Sequence, residues 1–446
     1  MTPRSGRGGQ RERQLWFPLD NSAKVFPAIR TTHISAAFRL SVLLTETIDP
    51  ITLLQALDDI LPRFPGFSMR LRSGVFWFYL ERNPLLPAIY PDTRFPCRYI
   101  FRKDNRSFLF RVIYYENRIS VEFFHSLTDG NGGMIFLKTL TARYLTLMGY
   151  PIPAVNGVLP LDEKPLAEEI EDATKRYACP ISFANRRQPP AWHHKGKIEP
   201  KGRIHVISAR MPLAKIKEKA SEFGVSVNDL LVAAYIEAFS RLQSATERQP
   251  RKPIVIAVPV NMRQYYPSLT LRNFFQRLFV SLMPGYRISE FEEILEIVHH
   301  SIRLQKNEKD LNARMYANLK SEQKLALRLI PLVLKNWILR LAFRFYGDSR
   351  ITSTLTNMGQ VIVPTEMWPH VESFEVIMGP SRDNVINCAV VSFGQELVIN
   401  FSRRIGDATI ERLMLNRLVK LGIPVKVQSN SESPIDAISE SETILG

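Results

Sequence analysis

The sequence is poor in cysteine: its 446 residues include only Cys97, Cys179 and Cys388. Three cysteines that lie far apart support neither a disulfide framework nor a zinc site built from cysteine pairs. Adjacent histidines occur at 193–194 and 299–300, but no cysteine or carboxylate accompanies them at ligand spacing, so we expect no metal site. We therefore expect a chain of a reducing, cytoplasmic compartment.

The sequence also lacks a run of about 18 uncharged apolar residues, the minimum for a helix that spans a membrane. The segment Met1–Arg13 is rich in glycine and arginine and has no apolar stretch of the kind found in secretory signals. The nearest approach to a spanning helix, 324–345, carries a basic residue every turn or two and is divided by Pro331. We interpret it as helices that pack on the protein, with peripheral contact to a membrane as the alternative.

Acidic residues are in the minority, 43 against 59 lysines and arginines, which gives a net charge of +16. This surplus favours anionic partners such as phosphate-bearing cosubstrates, acidic proteins, anionic membranes or nucleic acid. Because no helix-turn-helix, RNP or zinc-finger pattern accompanies the basic residues, we expect no binding of nucleic acid. A hydrophobic fraction of 45% with 23% charged residues is typical of a globular protein and excludes a disordered or fibrous chain.

Alternating strand and helix patterns predict two successive α+β halves of similar size. The first half, 16–184, follows a basic arm at 1–15 that we expect to be disordered, and the second half covers 203–427. Between them, 185–202 contains adjacent prolines and no apolar period, which is typical of a linker. The Ser/Glu-rich segment 428–446 is predicted to be a disordered tail.

Apolar periodicity predicts the secondary structure of both halves. Predicted strands cover 37–44, 98–103, 107–115, 118–124, 203–211, 253–260, 360–363, 374–378, 387–392 and 396–401. Predicted helices cover 51–64, 133–148, 213–223, 227–242, most of 289–345, and 407–421.

The clearest local pattern is Val121–Gly133, VEFFHSLTDGNGG, in which a strand-like run ends at His125 and a helix is predicted after the glycines. Turns between a strand and a helix project side chains into clefts, and imidazole has a pKa near neutrality. His125 is therefore a candidate general base, and Asp129 a candidate ion-pair anchor for the turn. Gly130 would permit backbone angles closed to other residues. The alternative is a histidine that merely ends a strand before an Asp-Gly turn.

The segment His125-Ser-Leu-Thr-Asp129-Gly130 resembles the HxxxDG signature of the CoA-dependent acyltransferase superfamily. That group includes chloramphenicol acetyltransferase, BAHD acyltransferases, peptide-synthetase condensation domains and alcohol acetyltransferases. Further segments along the chain resemble motifs of this group: 14–20 (QLWFPLD), 61–72 (LPRFPGFSMRLR), 258–263 (VPVNMR), 271–274 (LRNF) and 356–359 (TNMG). Phe124 stands where condensation domains and wax-ester synthases usually carry histidine, which favours the alcohol acetyltransferase branch.

The resemblance implies a fold and a set of site residues. The fold would be two chloramphenicol acetyltransferase-like α/β sandwiches with a channel between them that admits CoA and the acceptor from opposite faces. His125 would accept the proton of the acceptor, while Thr356 and Asn357 would donate to the oxyanion from the second half. Arg263 would be the ion-pair partner of Asp129, with a solvent-facing arginine as the alternative.

The resemblance also implies an activity. We expect a monomeric enzyme, with no permanently bound cofactor, that moves an acetyl or longer acyl group from acyl-CoA, its cosubstrate, to a small alcohol or amine. One alternative is a condensation-like enzyme that takes its acyl group from an acidic acyl carrier protein. Another is a catalytically silent relative that binds a thioester or a partner protein.

Overall fold

The computed structural model describes most of the chain. The described residues are 16–30, 35–98, 100, 105–181, 189–200, 202–284, 290–323, 329–379, 381 and 384–430. The predicted arm at 1–15, most of the predicted strand at 98–103 and the tail beyond Asn430 lie outside these residues.

Strands and helices occur in both halves of the described residues. The strands are β1 (Trp16–Pro18), β2 (Ala37–Leu44), β3 (Met69–Ser73), β4 (Phe78–Arg82), β5 (Ile89–Pro91), β6 (Phe110–Tyr115), β7 (Arg118–Phe124), β8 (His205–Pro212), β9 (Ile254–Asn261), β10 (Phe275–Leu282), β11 (Ser353–Gln360), β12 (Val371–Met378), β13 (Ile386–Phe393), β14 (Glu396–Arg403) and β15 (Lys426–Ser429). The helices are α1 (Phe26–Ile29), α2 (Pro50–Ile60), α3 (Gly130–Leu147), α4 (Ala167–Ile170), α5 (Ala173–Tyr177), α6 (Leu213–Glu222), α7 (Val227–Thr246), α8 (Phe291–Gln305), α9 (Glu308–Gln323), α10 (Leu332–Tyr346) and α11 (Thr409–Lys420). No single helix among the described residues is long and apolar enough to cross a membrane.

The first sheet contains the strand that leads to His125. Within the described residues its strand order is β12-β2-β7-β6-β5, and β2 pairs antiparallel with both β12 and β7. Helix α3 packs on this sheet, and aromatic rings fill the space between them. Phe67 stacks on Phe136 of α3 at 4.7 Å, and Phe123 of β7 meets the same ring edge-on at 5.9 Å. The strand before His125 is therefore fixed by aromatic packing against α3.

The second sheet, again within the described residues, has the order β10-β9-β11-β13-β14-β8-β15. Strand β13 is buried along its whole length, because successive side chains point to opposite faces. Cys388 and Val390 face a core shared with α7, α8 and α11, whereas Ala389 and Val391 face the core of the first sheet. The two sheets thus pack against each other through β12 and β13, which confirms the expected two-lobed α/β fold.

The predicted boundary between the halves does not separate the two sheets. Strand β12 belongs to the predicted second half, yet it hydrogen-bonds with β2, where Val376 lies opposite Leu40. Phe374 and Val376 are buried in the core of the first sheet. The correction has a simple reason: alternating apolar residues specify a buried strand but not the sheet that it joins.

Several predicted elements differ from the observed ones. Helix α3 begins at Gly130, before the predicted start at 133, because the Asp129 side chain accepts a hydrogen bond from Gly132 N and caps the helix. The predicted strand at 360–363 is wrong: β11 ends at Gln360, where a bulge and the positive φ of Gly359 turn the chain. Strand β10 was not predicted. As predicted, a helix break falls at Pro331, directly before α10.

The described residues of the predicted linker and tail contact the second lobe. Ala191 and Trp192 are buried, and the Trp192 indole donates to Glu247 Oε1 at 2.9 Å, so this part of 185–202 packs on the second lobe. The predicted tail begins at 428, but β15 continues to Ser429 and pairs with β8.

Candidate active site

His125 follows β7 directly, and its backbone N–H donates to Ala36 O at 2.9 Å. Its imidazole is partly buried among three phenylalanine rings. Phe26 of α1 stacks on it at 4.7 Å with an angle of 9°, and Phe38 and Phe275 lie at 4.9 and 5.8 Å. Because Phe275 belongs to β10, both lobes contribute to the surroundings of the imidazole.

The orientation of the imidazole is set by Asn273. The Asn273 Nδ2 group donates to His125 O at 2.9 Å and to the Asp20 carboxyl group at 3.1 Å, and the His125 carbonyl oxygen can only accept. Asn273 Oδ1 therefore faces His125 Nδ1 at 3.2 Å and must accept a hydrogen bond from the Nδ1–H group. With the proton on Nδ1, Nε2 carries the lone pair of the ring. This is the tautomer that a general base needs.

Burial lowers the pKa of His125 below its ordinary value, since the charged imidazolium loses solvation. The hydrogen bond with Asn273 and the charge of Asp129 act in the opposite direction and offset part of this effect. At neutral pH the ring is therefore held in its uncharged, proton-accepting form.

Asp129 is buried and holds the turn after His125 rather than the imidazole itself. Its Oδ1 accepts from Gly132 N at 3.0 Å, and its Oδ2 accepts from Phe274 N and from Arg263 Nη1, both at 2.8 Å. The ion pair proposed from the sequence is thus present in the structure, and its two side chains are only 10% and 6% exposed.

Arg263 also holds the segment that carries Asn273. Its Nε and Nη2 donate to Thr270 O at 3.0 and 2.7 Å, and Nη2 donates to Arg272 O at 2.7 Å. Thr128 Oγ1 adds a 2.6 Å hydrogen bond to Leu271 O. The loop after His125 and the segment at 270–274 therefore form one connected unit.

The expectation that Gly130 adopts backbone angles closed to other residues is wrong. Gly130 is the first residue of α3 and has no positive φ; a Cβ there would instead lie 2.7 Å from the sulfur of Met358. The stricter requirement is at Gly132, where a Cβ would lie 2.2 Å from Leu271 O and 2.3 Å from Thr128 Oγ1. The glycines of this segment permit close approach by the other lobe.

Thr356 and Asn357 lie on β11, whose next residue, Met358, reaches the first turn of α3. Thr356 is partly buried. Asn357 Oδ1 accepts from Gly359 N at 2.9 Å, which leaves the amide Nδ2 as its donor. The structure thus brings β11 to the start of α3.

The sequence predicts no role for Asn273 or Asp20, although both lie in segments, 271–274 and 14–20, that carry the family resemblance. Asp20 is fully buried: its Oδ1 accepts from Ala23 N at 2.7 Å, and its Oδ2 accepts from Asn273. Burial raises the pKa of Asp20, and the nearby Arg272 guanidinium acts against this rise. The signal available in the sequence was that each of these polar residues lies beside apolar residues in a segment that carries the resemblance.

Two small cavities of about 20 Å³ each are lined by residues close to His125 in the chain. Phe124 lines one of them, together with Arg30 and Ser35, and Leu127 lines the other. His125 lines neither, so the expected channel between the lobes is not one of these cavities. The stacked ring of Phe26 covers one face of the imidazole, and access from that side requires this ring to move.

The two histidine pairs make ordinary polar contacts. His194 Nε2 lies 3.0 Å from Asp407 Oδ2, and His299 Nδ1 lies 3.0 Å from Asp229 Oδ2. Among the described residues, no group of three histidine, cysteine or acidic side chains could hold a metal ion.

Comparison with family models and with the curated proteins finds no match. Solved structures of the same fold do match. The trichothecene 15-O-acetyltransferase TRI3 from Fusarium sporotrichioides is 10% identical with a TM-score of 0.58, and the match covers 94% of this chain and 99% of that chain. The wax ester synthase/diacylglycerol acyltransferase from Marinobacter aquaeolei VT8 is 13% identical with a TM-score of 0.55, over 91% and 100%.

A third match is the starter condensation domain of rhizomide synthetase RzmA, solved with C8-CoA and Leu-SNAC. It is 11% identical with a TM-score of 0.57, and the match covers 91% of this chain and 93% of that chain. Acyltransferases and condensation domains thus share the fold of this chain over nearly its whole length. At such identities the likeness establishes the fold.

Proposed function

We propose that this protein is an acyltransferase in which His125 acts as general base on the acceptor. The observation that carries the proposal is the hydrogen bond between His125 Nδ1 and Asn273 Oδ1, which makes Nε2 the proton acceptor of the ring. The lowered pKa of His125 supports it, because the base must be uncharged when the acceptor arrives.

The reaction would proceed in one ternary complex. His125 Nε2 accepts the proton of the acceptor alcohol or amine while the acceptor oxygen or nitrogen bonds to the thioester carbonyl carbon. A hydroxyl is too weak an acid to ionise beforehand, so proton removal accompanies bond formation. When the tetrahedral intermediate collapses, the carbon–sulfur bond breaks, and the imidazolium returns its proton to the leaving thiolate.

The negative oxygen of the tetrahedral intermediate needs a hydrogen-bond donor. The Thr356 hydroxyl and the Asn357 Nδ2 group are our candidates, since β11 approaches the start of α3 through Met358. Asp129 and Arg263 would act by position: they hold the turn and the segment that carries Asn273.

Acyl-CoA is the donor that we favour, and an alcohol the acceptor. A charge of +16 suits a phosphate-rich cosubstrate, and the condensation domain of the same fold was solved with C8-CoA. TRI3, of the same fold, is an O-acetyltransferase. The same positive charge would also suit an acidic carrier protein, which makes a carrier-bound thioester the second candidate donor.

The first prediction concerns the donor. We expect the purified protein to release free thiol from acetyl-CoA or a longer acyl-CoA when a suitable alcohol or amine is present. A panel of alcohols and amines is tested; the thiol is measured by titration, and the acylated product is identified by mass spectrometry. Release from carrier-bound thioesters alone would identify the condensation-like enzyme instead. Absence of acyl transfer from either donor across the panel would favour a catalytically silent protein.

The second prediction concerns pH. Since the uncharged ring is the active form and its pKa is lowered, kcat/KM should stay level from neutral pH downwards and fall only below the ordinary histidine pKa. Replacing Asn273→Ala removes a hydrogen bond that raises this pKa, so the acidic limb should move to still lower pH while the plateau rate drops. A lower plateau with an unmoved limb would mean that Asn273 supports the fold but not the tautomer.

A further inference from the structure

Helix α10 presents an apolar face to solvent. Its exposed residues recur at helical spacing, and we call them the α10 face: Val333 (85% exposed), Leu334 (52%), Trp337 (62%), Leu341 (41%) and Phe345 (57%). Val75, 73% exposed, adjoins its N-terminal end, where Leu332 N donates to Val75 O at 2.8 Å. Large contiguous apolar surfaces of this kind mark sites of interaction.

The opposite side of α10 contacts the rest of the protein, so α10 is not a loosely attached helix. Lys335 Nζ donates to Phe76 O at 2.9 Å and lies 3.5 Å from the centre of the Trp77 ring. Arg340 Nε donates to Ala28 O of α1 at 2.6 Å. Leu332 and Lys335 are 7% and 3% exposed. The α10 face is therefore a fixed surface.

The charge around this surface indicates its partner. The sequence from 324 to 346 contains five basic residues and no aspartate or glutamate. Arg340 of this segment is exposed beside the α10 face. An apolar helix face that carries a tryptophan, on a segment whose charged residues are all basic, is suited to the headgroup region of an anionic bilayer. The basic arm at 1–15 has the same sign of charge as this segment and is a poor cover for it.

We propose that the α10 face docks this protein on anionic phospholipid membranes, with α10 lying in the plane of the interface. The helix would not cross the bilayer, since its 15 residues are too few to span it. Membrane docking does not depend on the proposed acyl transfer, so an experiment can contradict either proposal without affecting the other. It would place α1, whose Phe26 stacks on His125, one helix away from the lipid.

The third prediction is tested by flotation with lipid vesicles. We expect the protein to float with vesicles of equal parts phosphatidylcholine and phosphatidylglycerol at low salt, less at high salt, and little with phosphatidylcholine alone. Val333→Ser combined with Trp337→Ser should lower the bound fraction by about tenfold or more. The matched control, Ile51→Ser with Leu54→Ser, changes two exposed apolar residues of α2, 79% and 38% exposed, and should bind normally.

Other outcomes would overturn the proposal. If the α10 variant binds vesicles as well as the control does, while melting at the same temperature, the face does not dock on lipid. If neither vesicle type binds and the α10 variant converts a dimer to a monomer on gel filtration, the face joins two copies of the chain. If the full chain does not bind vesicles but a variant that ends at Asn430 does, the acidic segment 431–446 covers the α10 face in the full chain.

Discussion

Replacing His125→Ala should lower kcat/KM for thiol release by about 10²- to 10⁴-fold, the contribution typical of a general base. The loss should fall on kcat, because the proton is accepted in the transition state and the acceptor is bound by other groups. His125→Gln keeps a side chain of similar size between Phe26 and Phe38 but supplies no base, and it should be equally slow. Both are measured by thiol release with the acyl-CoA and acceptor found for the parent protein.

The control is His299→Ala, which removes a histidine that contacts Asp229 away from the site and should leave kcat unchanged. Circular dichroism melting shows whether each variant is folded. The role assigned to His125 is wrong if folded His125→Gln protein turns over at the parent rate. It is also wrong if both His125 variants raise KM but leave kcat untouched, since a residue that only binds substrate would act in that way.

The HxxxDG pattern located the centre of the candidate site because its residues are local in sequence. His125 and Asp129 are four positions apart, and a strand followed by a capped helix fixes where both side chains lie. Asn273 is different: it lies 148 positions from His125, and its contact depends on how the second lobe folds back. No periodicity specifies such a contact, although the segment around Asn273 could be noted by resemblance.

The fold shows the same division between local and long-range information. The largely apolar run Leu278–Leu282 (LFVSL) was present in the sequence of β10, so that strand could have been predicted. The membership of β12 in the first sheet could not, because it depends on pairing with β2 more than 300 positions earlier. The exact site geometry follows from that pairing and from the ion pair between the lobes.

Replacing Arg263→Met should lower the free energy of unfolding by about 3–5 kcal/mol, because it leaves the buried carboxylate of Asp129 without its charged partner. It also removes the donors to Thr270 O and Arg272 O, which hold the segment that carries Asn273. The loss is measured as the shift in the urea concentration at the midpoint of unfolding of the purified protein. Arg143→Met is the matched control: its pair with Asp59 is 31% and 32% exposed, so the loss should be only about 0–1 kcal/mol.

A double variant separates the charge from the shape of this pair. With Asp129→Asn and Arg263→Met together, no unpaired charge is buried, and the Asn side chain can still accept from Gly132 N as a helix cap. We expect the double variant to be less destabilised than the sum of its two single variants, as for interacting buried charges. Simple additivity of the two losses would mean that Asp129 and Arg263 stabilise the protein independently. The turn after His125 and the Asn273 segment would then be held by the neighbouring backbone hydrogen bonds rather than by the ion pair.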